Sequence, residues 1–318
     1  MYQLHSRRRV GLLISMILLF LFSSCSGSSA GHPADFGEGK ASESPPRPNT
    51  PLVLNPVASQ EETLGAEPLI VDISHRDQGY IMVRYSGNAA KASIQLTGSD
   101  GITYKYFISP SDTYTCLPLT SNNGSYQVDG YENIVDNKYT PLFKETIDVS
   151  LENEFLPYLY PNQYVYFTED MKAVSTASDT VKQSTSDLDA VADIYHYVIE
   201  HITYDEEKAA AVQPGYLPDV DSTLASGSGI CFDYASLTAA MLRSQGIPTR
   251  LEIGYSGNVY HAWISVYIEE VGWIDKIIEF SGDSWTRMDP TFASGNDNNR
   301  RILEYIGDGS NYTLQYTR

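Results

Sequence analysis

The chain has 318 residues, of which 42% are apolar and 12% aromatic, and its 40 acidic against 21 basic side chains give a formal charge of −19. That length accommodates two ordinary domains. The acidic excess argues against a nucleic-acid partner, because a phosphate backbone calls for a basic patch and none is visible. Three cysteines are too few for a disulfide scaffold.

The first residues do not read as part of a fold. Arg7, Arg8 and Arg9 precede an apolar run from Val10 to Phe22, too short for an ordinary membrane span and suited to a signal peptide. The run ends in LFSSC, where Ser23 and Ser24 precede Cys25. This resembles a bacterial lipoprotein signal. The resemblance implies cleavage after residue 24 and lipidation of Cys25, which would anchor the protein to the outer side of the cell membrane. A plain secretory signal is the other reading. Residues 25–66 are rich in Ser, Gly, Pro, Ala and Glu without apolar periodicity, and are expected to form a disordered tether.

From residue 67 to 151 short alternating runs are separated by SGN (86–88), GSDG (98–101), SNNG (121–124) and VDN (135–137). Evenly spaced short strands predict an N-terminal β-sandwich module of the immunoglobulin-like kind. Its tyrosines suit packed faces. The segment FLPYLYPNQYVYF (155–167) holds two prolines and is expected to run as an extended connector lying on a second domain, residues 152–318.

Helical periodicity begins after Ser186, with Leu188, Val191, Tyr195, Val198 and Ile202 on one face and Ser186 and Asp189 suited to an N-terminal cap. His196 and His201 are five apart on this helix, whereas a metal-binding pair on one face wants a spacing of four. Asp219 and Asp221 form only a lone DxD. The stretch SGICFDYA then places Cys231 ahead of a helix expected over 231–245, ended by Gly246 and barred from continuing by Pro248. A cysteine at a helix start gains thiolate stabilisation from free N–H groups and the helix dipole.

A strand is expected at 249–255 and a second at 259–268. In the second, alternation puts Ala262, Ile264, Val266 and Ile268 on one face, and His261, Trp263, Ser265 and Tyr267 on the other. A third strand at about 272–280 turns at SGD (281–283) into SWTRMDPTF, which carries Asp289 at its end. A cysteine nucleophile needs a base to take its proton and a third group to orient that base. Cys231, His261 and Asp289 supply those three types in order along the chain. With Cys25 lipidated, Cys116 and Cys231 either form one disulfide or stand as a buried thiol and a functional one.

The blocks GSGICFDYASLTAAMLRSQGIPTRLEIGY, YHAWISVYI and WTRMDPTF together resemble the transglutaminase-like superfamily over about residues 185–295. The resemblance implies an α+β, papain-like core with the cysteine on a helix N-terminus packed on an antiparallel sheet. It implies Cys231 as nucleophile, His261 as base and Asp289 as orienting group. Trp285 matches the tryptophan four places before the aspartate, while GWIDKIIEF lengthens the usual spacing from histidine to aspartate. The implied chemistry acts on amide bonds of peptides or proteins through a cysteine thioester. Hydrolysis, as by a protease or amidase, is favoured over amine transfer by a protein-crosslinking transglutaminase, and an inactive surface-binding module is the third reading. No metal or other cofactor is implied. Cell-wall or surface proteins follow as substrates from location alone. Tyr204 could reach the site as an oxyanion donor, but its position reads first as structural.

Overall fold

Alternating tyrosine-, valine- and isoleucine-rich runs between turns produce eight strands in the first half of the chain. They are β1 (Thr63–Ala66), β2 (Leu69–Asp72), β3 (Tyr80–Tyr85), β4 (Ala92–Thr97), β5 (Thr103–Ile108), β6 (Thr115–Pro118), β7 (Gly124–Val135) and β8 (Lys138–Val149). The computed structural model describes residues 47–256, 258–269, 271–274, 280–281, 284–285 and 312–318. All of these fall within one compact unit, residues 44–318. Cys25 and Asp289 lie outside the described residues. No helix among the described residues is long and apolar enough to cross a membrane.

The strands form two antiparallel four-stranded sheets, ordered β1-β2-β3-β6 and β5-β4-β7-β8. Inward residues of both, among them Val71, Val83, Ile94, Tyr106 and Val128, share one buried cluster. On β5 the pleat sends Tyr104, Tyr106 and Ile108 inward while Lys105 stays exposed. The opposite face of β3 is covered too: Tyr80 and Met82 pack with Cys116 of β6 and with Tyr160 of the connector. Both faces of β3 are therefore covered, and five of its six residues are buried.

Residues 47–66, within the segment expected to be a tether, are instead held in place. The Arg47 guanidinium pairs with Asp187 at 2.9 Å, the Leu52 N–H donates to the Ser244 carbonyl, and β1 pairs with β2. Extended proline-rich chain exposes its backbone groups, so it can be fixed by hydrogen bonds without an apolar face of its own.

Beyond the sandwich come α1 (Lys172–Thr180), α2 (Asp187–His201), β9 (Thr203–Tyr204), α3 (Glu206–Ala211), α4 (Val220–Ser226), β10 (Ser228–Gly229), α5 (Cys231–Arg243), β11 (Thr249–Ser256), β12 (Val259–Ile268), β13 (Gly272–Ile274), β14 (Phe280–Ser281), β15 (Ser284–Trp285) and β16 (Tyr312–Thr317). Ser186 caps α2 by accepting from the Asp189 N–H. The DxD pair is accounted for by capping: Asp219 caps α4, and the Asp221 carboxylate accepts from the N–H groups of Lys172 and Ala173 at the start of α1.

The antiparallel sheet β13-β12-β11-β16 packs its aliphatic face on α5, so that Ala262, Ile264, Val266 and Ile268 join Ala235, Ala239 and Leu242 in one core. The opposite face of β12 is covered as well: Trp263 is buried, and Phe155 of the connector lies on Tyr267 with ring centroids 4.2 Å apart. The connector is not wholly extended, since Leu156–Tyr158 form a 3-10 turn. Of the expected third strand, β13 covers Gly272–Ile274, and residues 275–279 lie outside the described residues.

Candidate active site

Cys231 is the first residue of α5, preceded by Ile230 in extended conformation. The tight approach before it demands glycine: a Cβ on Gly229 would sit 2.7 Å from the Asp233 Cβ. Asp233, three residues into the first turn region and fully buried, fixes this helix start. Its carboxylate accepts from the Ile230 N–H (2.9 Å), from Lys208 Nζ (2.6 Å) and from the Tyr216 hydroxyl (2.5 Å). The cap therefore ties the nucleophile's helix to α3 and to the loop at residue 216.

His261 stands near the start of β12 opposite Gly254 of β11, and it is 5% exposed. Cys231 and His261 line the same cleft, of about 580 Å³. Burial raises the Cys231 thiol above its ordinary value, opposed by N–H groups of Ala262, Phe232 and Cys231 itself that face the sulfur. Burial also lowers the His261 imidazole to about 4. Both directions favour the neutral thiol and neutral imidazole, so the described groups alone do not hold a thiolate–imidazolium pair. An opposite charge beside the ring would favour the imidazolium form. The imidazole Nε2 is buried with no hydrogen-bond partner among the described residues, and Asp289, the expected orienting group, lies outside them.

Cys116 and Cys231 are both free thiols. Cys116 is buried in the sandwich, and burial raises its pKa strongly. Tyr204 lines the cleft with Cys231. Its strand β9 pairs in parallel with β10 immediately before the cysteine. His201 stacks on Tyr197 and its Nδ1 lies 2.7 Å from the Tyr197 carbonyl, and no group of potential metal ligands occurs among the described residues.

The sequence reasoning missed much of the cleft wall. Lys105 and Phe107 reach it from β5 of the sandwich, Tyr164 from the connector, and Tyr316 and Arg318 from the C-terminal strand and its end. Those residues are brought together by long-range pairing, for which a single strand carries no local signal. Asp233 was findable, because an acidic side chain at the third helical position is a capping signature.

Residues 174–290 match the model of the transglutaminase-like superfamily. The resemblance read from the three sequence blocks thus holds for that segment. No curated protein matches the chain. Among solved structures, one described as a "putative cysteine protease" from Cytophaga hutchinsonii is 16% identical, covers 81% of this chain and 73% of its own, and gives a TM-score of 0.36. A "putative protease" from Parabacteroides distasonis is 10% identical with 63% and 61% covered and a TM-score of 0.28. Red sea bream transglutaminase is 13% identical, with 69% and 49% covered and a TM-score of 0.25. This chain spans less than two thirds of those last two structures.

Proposed function

We propose that the protein is a cysteine enzyme that attacks amide bonds of peptides or proteins through Cys231, with His261 as base and Asp289 as orienting group. The observation that carries this reading is that a helix-start cysteine and a buried imidazole line one cleft, the imidazole having one ring nitrogen unpartnered among the described residues. A buried N–H or ring nitrogen without a partner is costly, so Nε2 is the place for the Asp289 carboxylate. The other ring nitrogen then takes the thiol proton as Sγ adds to the carbonyl carbon. N–H groups at the start of α5 stand ready for the oxyanion. Collapse expels the amine, which leaves with the proton from the imidazolium, and a thioester remains.

Water then completes hydrolysis, whereas a primary amine completes transfer. The described residues lining the cleft include Lys105 and Arg318 and no Asp or Glu. A protonated amine therefore meets like charge, which favours water as acceptor. The sandwich, read as an immunoglobulin-like module, contributes part of the wall. Mass spectrometry of a glutamine-containing peptide, with and without added primary amine, tests the reading. Wild type is expected to release the hydrolysed product, and Cys231→Ala is expected to lose turnover entirely. Exclusive amine incorporation would make the protein a crosslinking transglutaminase. No product with any peptide would leave the binding-module reading.

A further inference from the structure

Arg318 is 4% exposed, yet its Nε and Nη1 have no hydrogen-bond partner and its guanidinium has no carboxylate partner among the described residues. Instead its central carbon lies 4.9 Å from the ring of Tyr104, 4.5 Å from Tyr106, 4.9 Å from Tyr164 and 5.2 Å from Tyr316. Aromatic faces stabilise the cation but leave Nε and Nη1 unanswered. A buried guanidinium of this kind normally has an anion. Arg318 lines the cleft of Cys231 and His261, and so does Lys105, whose Nζ lies 5.0 Å from the ring of Phe107. In a chain with 40 acidic and 21 basic residues, no Asp or Glu occurs among the described lining residues.

We propose that this cleft selects peptides bearing a carboxylate near the amide under attack, with Arg318 as the carboxylate anchor and Lys105 as a second, solvent-exposed cation. The inference rests on the amide-cleaving reading of the same site. Arg318 exchanges backbone hydrogen bonds with Leu251, three residues along β11 from Gly254, which stands opposite His261. That is about 10 Å along the sheet, or roughly three residues of extended substrate. A planar guanidinium fork with two unpartnered N–H groups suits a side-chain carboxylate.

The test uses dodecapeptides of Ala, Gly and Ser with one central glutamine, and Glu, Gln or Lys placed one to four residues to either side. In wild type the best Glu peptide is expected to exceed its Gln counterpart about tenfold in kcat/KM, mostly through KM, and the advantage is expected to shrink with salt. The same ranking is expected in Kd, measured by fluorescence anisotropy on the Cys231→Ala variant. Lys105→Gln and Arg318→Gln are expected to erase most of the preference, and Arg318→Lys to keep part of it. Lys105 is exposed, so its variant stands even where removing Arg318 prevents folding. Equal kcat/KM and equal Kd for Glu, Gln and Lys peptides would overturn the proposal while leaving the amide chemistry intact. Tighter binding of Glu peptides without turnover of any peptide would uphold the anchor and remove the proposed reaction. A preference for Glu that persists unchanged in Lys105→Gln and Arg318→Gln would also overturn it.

Discussion

At Cys231 and His261 desolvation decides the resting charges, and it pushes both groups toward neutrality. One anion at the imidazole would act against that push, since an adjacent opposite charge commonly moves a pKa by 1–3 units. Asp289 is the residue proposed to supply it. The sign follows: a carboxylate favours imidazolium, imidazolium favours thiolate, and alkylation follows the thiolate. Iodoacetamide labelling of Cys231 is therefore expected to have its pH midpoint in wild type about 1–3 units below that in Asp289→Asn. Cys116, buried in the sandwich and pushed up by burial, serves as the slow internal control. Superimposable profiles for the two proteins would remove Asp289 from the proposed unit.

At the scale of elements, the start of α5 depends on a single buried carboxylate. Asp233 answers one N–H, one hydroxyl and one ammonium group, and Lys208, its cation, also lies 4.7 Å from the ring of Tyr216. Removing the carboxylate strands those donors around the nucleophile. Asp233→Ala is expected to lose about 2–4 kcal/mol in urea unfolding and to slow Cys231 alkylation. Asp233→Asn, which can still accept, should fall between it and wild type. The other element that matters is β16, which follows β11 so closely that a Cβ on Gly254 would lie 2.1 Å from the Thr313 carbonyl oxygen. The register shift of this pair lies between Ile253 and Gly254. By it the strand brings Tyr316 and Arg318 to the cleft.

Over the whole molecule the two halves share more than a linker. Tyr316 packs against both large cores, the Thr120 hydroxyl donates to the Thr317 carbonyl, and Gln163 Nε2 donates to the Phe107 carbonyl. Arg47 and Leu52 tie the chain just past the end of α5 to the start of α2. Such contacts couple unfolding. Tryptophan fluorescence reports on the second half alone, because Trp263, Trp273 and Trp285 all lie there, whereas far-UV circular dichroism reports on both. The two urea transitions are expected to coincide. A separate circular-dichroism transition preceding the tryptophan change would show that the sandwich unfolds by itself.

Local periodicity made several parts of this protein legible. The run after Ser186 yielded α2 with its cap, the Gly-Ile-Cys-Phe junction yielded α5 with Cys231 as its first residue, and strict alternation yielded β12 over Val259–Ile268 with its aliphatic face. The helix over Lys172–Thr180 escaped notice, because it is short and mostly small and polar. Alternation left open what covers the second face of β12, since whether a face is wet or covered depends on what the rest of the chain lays over it. The three chemical residue types, their order and the family resemblance were fixed by the sequence, because helix starts and strand faces are set by neighbours a few positions apart. The cleft itself was decided only by tertiary structure. Its walls join β5, the connector, α5, β12 and the end of β16, and only long-range sheet pairing and core packing bring Lys105 and Arg318 to the cleft that Cys231 lines.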